Sequence, residues 1–257
     1  RYFADTLYRR PQSHRPLLFK LSLLQPHYPF FTSQRWFDYY HDIVPVYRDE
    51  PSSHPVLRRS QAQRGEPVSV SEADARRATA GYYGMVSTVD EYFERLLSRL
   101  EELGEDLDDW IILYTSDHGD MLGEHGIWEK TKFYEASVRV PLIIRWPRRF
   151  TGGRVVEENV NLCDLFATLC ELTGIETPRG LDSRSLVPLL RGEAHDWDNE
   201  SISQMGRHHL MIKQKTSPGS GSAGANSDTA RTPIPNTPVR DTVTPEKHAA
   251  HAPHTHR

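Results

Sequence analysis

The stretch from Thr115 to Glu135, Thr-Ser-Asp-His-Gly-Asp-Met-Leu-Gly-Glu-His-Gly-Ile-Trp-Glu-Lys-Thr-Lys-Phe-Tyr-Glu, crowds ionisable side chains into one short segment. Asp117 offers a carboxylate oxygen and His118 an imidazole nitrogen, and both are donors to divalent cations. Gly119 permits a bend that turns the two toward one ion. Two donors fall short of the roughly four to eight of a complete site, so the metal reading needs others from elsewhere in the fold. The same pair also fits a helix-capping aspartate beside a surface histidine. Lys130 lies between Trp128 and Phe133. A cation against an apolar wall suits an anionic group on a substrate, although an isolated lysine is also simply a solvated one. Glu129 and Lys132 are charged neighbours with no assigned role. His125, in Gly-Glu-His-Gly, either points into the same pocket or is structural. His27, in Gln25-Pro-His-Tyr-Pro29, has its backbone restricted by flanking prolines. A positioned imidazole suits an acid or an anion ligand, and the alternative is an ordinary loop histidine.

These residues need a scaffold. The run 17–24 is short, apolar and ends at Gln25-Pro26, which reads as a buried strand delivering His27. Trp110-Ile-Ile-Leu-Tyr-Thr115 reads as a second strand, ending where Asp117 begins. Pro141-Leu-Ile-Ile-Arg-Trp146 reads as a third. Ser71-Glu-Ala-Asp74 resembles a capping box. It opens a long amphipathic helix with Tyr82, Met85, Val86, Val89, Phe93, Leu96, Leu97 and Leu100 at helical spacing, stopped by Gly104. A shorter helix covers 162–172, with Leu162, Leu165, Phe166 and Leu169 on one face and Gly174 as its stop. Alternating strands and helices imply an α/β fold with a mostly parallel sheet. Its ligands would sit beyond the carboxyl ends of the strands. Residues 30–70 show no clear period and read as a long excursion.

Ser116-Asp-His-Gly, Gly123-Glu-His-Gly, Trp128-Glu-Lys130 and Phe133-Tyr-Glu-Ala-Ser-Val-Arg-Val-Pro-Leu142 follow one another at tight spacing. Together they resemble the second half of the catalytic domain of the sulfatase family, within the alkaline-phosphatase-like superfamily. Leu21-Ser-Leu-Leu-Gln-Pro-His27-Tyr-Pro resembles the family's upstream histidine segment, and 161–174 is similar to the helix that follows. The resemblance covers about 15–213 and implies a partial three-layer α/β/α sandwich. By that resemblance Asp117 and His118 are ligands of a divalent cation, Ca²⁺ first, with Mn²⁺ or Mg²⁺ as the others. Lys130 and His27 contact the sulfate group or leaving-group oxygen, and His125 lines the pocket. The implied reaction is metal-assisted cleavage of a small-molecule sulfate ester. A phosphonate monoester hydrolase or phosphodiesterase of the same superfamily is the nearest alternative, and a non-catalytic remnant or interaction module is a third. The family's nucleophile lies in a Cys/Ser-x-Pro-x-Arg motif. Cys163 and Cys170 are followed by Asp-Leu and Glu-Leu, and no such motif occurs in these residues. The chain is therefore expected to be the central part of a larger catalytic domain and inactive alone.

Composition agrees with a partial domain. The chain has 257 residues, with 31 Lys+Arg against 35 Asp+Glu and a net charge of -4. That balance argues against a nucleic-acid-binding protein. No run approaches the roughly 18–20 apolar residues of a membrane span, and no signal peptide is visible, so the sequence assigns no compartment. The two cysteines lie seven apart in a predicted helix, too distant for a disulfide, and read as small buried side chains. Hydrophobic residues make up only 37%. The cause is 214–257, which holds six prolines and no Phe, Trp or Tyr and is expected to be a disordered tail beside a body at 1–213. Within it Gly219-Ser-Gly221-Ser-Ala-Gly224 reads as a linker. His248, His251, His254 and His256 are capable of holding a stray metal ion. Asn199-Glu-Ser201 is a glycosylation acceptor pattern. Oligomeric state is not legible.

Overall fold

The computed structural model describes residues 17–47, 70–130, 132–193, 196–205, 207 and 209–214. Residues 215–257 of the expected tail, with its histidines and glycine linker, lie outside the described residues, as does 48–69 of the expected excursion, while Gln214 belongs to a strand.

The long helix forms as the capping and period require. Here it is α2, Glu72–Glu102, and the Ser71 hydroxyl accepts the Asp74 amide at 3.1 Å. Gly104 follows the last turn at φ 86°. Met85, Val89 and Leu100 of the predicted stripe are buried, joined by the small residues Ala75, Thr79, Ala80, Gly81 and Gly84. Those glycines have a packing reason. A Cβ on Gly81 would lie 2.5 Å from the Phe30 carbonyl oxygen, and one on Gly84 would lie 2.6 Å from the Thr32 side chain. The segment carrying His27 is thus seated directly on the helix backbone. A short helix, α1 (Gln34–His41), occupies part of the expected aperiodic excursion and packs on α2 through Tyr40 Oη and Ser87 Oγ at 2.8 Å. Its signal was masked by Pro29 before it and Pro45 after it.

Strand β1 (Ile112–Thr115) pairs with β2 (Leu142–Arg145) in antiparallel register, Ile112 opposite Arg145 and Thr115 opposite Leu142. The expected parallel sheet is therefore corrected: among the described residues every strand pairing is antiparallel. Residues 17–24 are also not a buried strand. They are extended without a ladder, and Leu18 and Leu24 are exposed. A strand needs a neighbour for its backbone N–H and C=O groups, and this segment instead lies along α2, where Leu21 and Leu23 share an open cleft with Tyr92, Leu96 and Leu103.

Between β1 and β2 comes the one-turn helix α3, Glu135–Val138. Beyond β2 lie α4 (Asp164–Thr173), α5 (Val187–Arg191) and the hairpin β3 (Glu200–Met205) and β4 (His209–Gln214). Helix α4 turns the opposite face inward from the one its leucines predict. Asp164, Ala167, Thr168 and Cys170 are buried, while Leu162 and Phe166 are exposed. The polar pair decides this. Asp164 accepts the amides of Asn161 at 2.8 Å and Arg184 at 2.9 Å, and Thr168 Oγ1 accepts the Leu186 amide at 2.9 Å. A buried loop amide left without an acceptor costs about 1–3 kcal/mol. Cys170 is buried as expected, whereas Cys163 is exposed, and both are free thiols. No described helix is long and apolar enough to cross a membrane.

Candidate active site

The excursion 116–134, between β1 and α3, carries most of the site. It has its own small core, in which Met121 and Ile127 are buried against Ala136 and Tyr134. Its first turn is docked to α3, where the Gly119 amide donates to the Ser137 carbonyl at 2.8 Å. Side-chain space forbids any larger residue there, since a Cβ on Gly119 would lie 2.0 Å from the Ala136 carbonyl oxygen.

Asp117 and His118 leave the carboxyl end of β1 side by side. Asp117 caps none of the described helices, which removes the capping alternative; its Oδ1 instead accepts the His118 amide at 3.0 Å. His118 Nδ1 is 2.8 Å from the Gly119 carbonyl oxygen. A carbonyl only accepts, so Nδ1 carries the hydrogen and the Nε2 lone pair is the one left for a ligand role. That Nε2 is 3.7 Å from Asp117 Oδ2. Two donors to one ion at about 2.0–2.4 Å each are separated by roughly this much. The pair therefore fits a divalent cation. Among the described residues no group of three or more His, Cys, Asp or Glu comes together as a fuller ligand set.

His27 and Lys130, 103 positions apart, meet at 2.9 Å between Nε2 and Nζ. His27 Nδ1 is 2.8 Å from the Tyr28 carbonyl oxygen, so this ring too carries its hydrogen on Nδ1 and accepts from the Lys130 ammonium on Nε2. The Nζ atom also stands 5.3 Å from the Tyr28 ring centroid, within cation–π range. A histidine with a proline-restricted backbone and a long flexible lysine are thereby brought into one hydrogen-bonded pair. His125 takes a different place. Its backbone is left-handed at φ 55°, and its ring stacks on Tyr134 at 4.1 Å.

Three residues without a predicted role turn out to belong to this region. Lys132 is buried, 8% exposed. Asp120 has its carboxyl raised above the ordinary value, chiefly by burial, against the lowering effect of amide hydrogen bonds from Leu122 and Glu129 and of the Lys130 charge. Tyr82 of α2 sits behind it, and burial together with the Asp120 charge pushes its phenol up to about 12. Its ring also meets Phe30, in the segment that follows His27, edge-on at 5.7 Å. The helical stripe marked Tyr82 only as packing, and no local pattern marked Asp120 or Lys132.

The model of the Sulfatase family matches residues 2–175. The chain belongs to the sulfatase family. This sulfatase-family chain is 34% identical over 193 residues to a choline-sulfatase of Rhizobium meliloti, covering 70% of the chain and 36% of that relative. It is 29% identical over 228 residues to an arylsulfatase of Clostridium perfringens, covering 82% and 46%. Among solved structures it resembles the phosphonate monoester hydrolase of Agrobacterium radiobacter, with TM-score 0.67 and 28% identity over 78% of the chain and 43% of that structure. The fold is accordingly that of the alkaline-phosphatase-like sulfatases, in part. The chain spans less than half the length of these relatives.

Proposed function

We propose that these residues supply the cation-binding pair and the anion-binding pair of a sulfate ester hydrolase. The observation that carries the reading is the 2.9 Å contact of Lys130 with His27. It holds a proton between two nitrogens beside the ring of Tyr28. Such a pair stabilises negative charge on a sulfuryl oxygen and can hand a proton to a departing alcohol. Asp117 and His118 would hold the divalent cation, which when bound polarises the ester and neutralises charge on its oxygens. Ca²⁺ is the ion we assign, and the imidazole donor of His118 keeps Mn²⁺ in contention, because Ca²⁺ favours all-oxygen sites. His125, held on Tyr134, would line the substrate side of the pocket. The substrate is a small-molecule sulfate ester, as the names of the choline-sulfatase and arylsulfatase relatives suggest.

A second reading, a phosphonate monoester hydrolase, is favoured by the structural likeness to the Agrobacterium enzyme. The test is turnover of 4-nitrophenyl sulfate against 4-nitrophenyl phenylphosphonate with Ca²⁺ or Mn²⁺ supplied. It is run on the 257-residue chain and on the same chain joined to an in-frame segment bearing Cys/Ser-x-Pro-x-Arg. The chain alone is expected to be inactive. The joined form is expected to prefer the sulfate and to lose at least about 100-fold in kcat with Lys130→Met. A preference for the phosphonate transfers the assignment to the second reading, and metal-independent or Lys130-independent turnover overturns both.

A further inference from the structure

We propose that Asp120 is the positioning residue that holds Lys130 against His27. The inference rests on the reading of Lys130 and His27 as the anion-binding pair and adds the residue that sets their geometry.

Asp120 and Lys130 bracket the middle of the excursion, the turn 120–130. Its Oδ1 accepts the Leu122 amide at 3.0 Å, and its carboxylate also accepts the Glu129 amide. The Met121 amide donates to the Glu129 carbonyl at 2.7 Å, so the two ends of this turn are tied together. The two residues whose amides Asp120 takes share an uncommon backbone. Leu122 has φ 47° and Glu129 has φ 69°, both left-handed and neither a glycine. Such conformations persist in bulky L residues only where their surroundings hold them. One carboxylate therefore takes the amides of two of the excursion's three left-handed non-glycine residues, the third being His125. Glu129 directly precedes Lys130, so the orientation of its amide fixes where the lysine leaves the chain. That matters because a lysine stem carries about 2 kcal/mol of rotamer entropy and finds a target poorly unless its root is fixed. The Lys130 charge in turn acts on the Asp120 carboxyl, lowering it against the larger effect of burial. Below the excursion, Met121 and Ile127 are buried, and Trp128 packs on Gly123. These apolar contacts seat the excursion but do not turn the Glu129 peptide.

The experiment reads the contact itself, with no substrate and no metal. The His27 Nε2 resonance of the full chain is followed by long-range ¹H–¹⁵N correlation at about pH 8.5, where an ordinary imidazole is neutral. The His27→Gln variant identifies the signal, and Lys130→Met defines its position when the lysine donor is lost. Asp120→Ala is expected to move the signal to the Lys130→Met position, and the double variant to move it no further. Asp120→Asn keeps the volume and one acceptor oxygen and is expected to move it part of the way. If Asp120→Ala loses its far-UV circular dichroism, the Asn variant alone decides. A wild-type signal in the folded Asp120 variants overturns the proposal. So does an equal shift in Leu189→Ala, which destabilises a buried position on α5 away from the excursion. Because hydrolysis plays no part, this result stands or falls separately from the assignment of the reaction.

Discussion

Gly119→Ala should be costly out of proportion to its size, because it joins the Asp117–His118 pair to α3. The added methyl would sit 2.0 Å from the Ala136 carbonyl oxygen and 3.1 Å from its carbon. Both are backbone atoms, and neither swings aside as a side-chain tip would. Restoring ordinary contact requires a backbone shift of more than an ångström on one side. That shift breaks the 2.8 Å hydrogen bond from the Gly119 amide to the Ser137 carbonyl. Overpacking costs about 1–3 kcal/mol and the lost bond about 0.5–1.5 kcal/mol, a total of about 2–4 kcal/mol. For a folded unit of this size each kcal/mol moves the melting midpoint by roughly 2–4 °C, so a fall of about 5–15 °C is expected. Gly152→Ala is the control, since its Cβ would meet nothing within 4 Å. It should change stability by no more than about 1 kcal/mol, and toward stabilisation. Thermal melts followed by circular dichroism compare the three proteins. A Gly119→Ala midpoint no lower than that of Gly152→Ala would refute the claim that Gly119 is there for close approach.

Two further outcomes follow from single side chains. The Tyr82 phenol is pushed up to about 12 by burial and then by Asp120, so the folded chain keeps a proton that the unfolded chain releases near 10. Stability is therefore intact below about pH 10 and falls as pH rises from there toward about 12. Tyr82→Phe should remove that part of the slope in melts taken between about pH 9 and 11.5, and identical slopes would contradict it. Burial, and then the Asp164 charge, push the Cys163 thiol up, and Cys170 is only 7% exposed. Mass spectrometry after iodoacetamide at about pH 8 should find Cys163 modified first, but more slowly than in the urea-unfolded chain. Modification of Cys170 first would be inconsistent with the packing of α4.

What was legible in the sequence was local. The cap at Ser71, the period of α2, the stops at Gly104 and Gly174 and the apolar runs of β1 and β2 need only neighbours within a turn or two, and all are in place. Strand direction was not legible, because pairing β1 with β2 rather than with 17–24 is settled by contacts 27 to 33 positions apart. Nor was the buried face of α4. Hydrophobic pattern alone favours its leucines, and the outcome turned on Asp164 and Thr168 finding amides in 184–186. The site divides in the same way. Residue types named Asp117, His118, Lys130 and His27, but only the fold brings Lys130 Nζ to His27 Nε2. Asp120 shows why such a residue escapes a reading of pattern. A left-handed backbone ordinarily announces itself through glycine, and at 122 and 129 the chain has Leu and Glu. Where a side-chain carboxylate holds the peptide, the glycine is not needed. The mark of the strained turn then moves from the residues that adopt it to a single aspartate at the start of the turn, where only the hydrogen bonds reveal it.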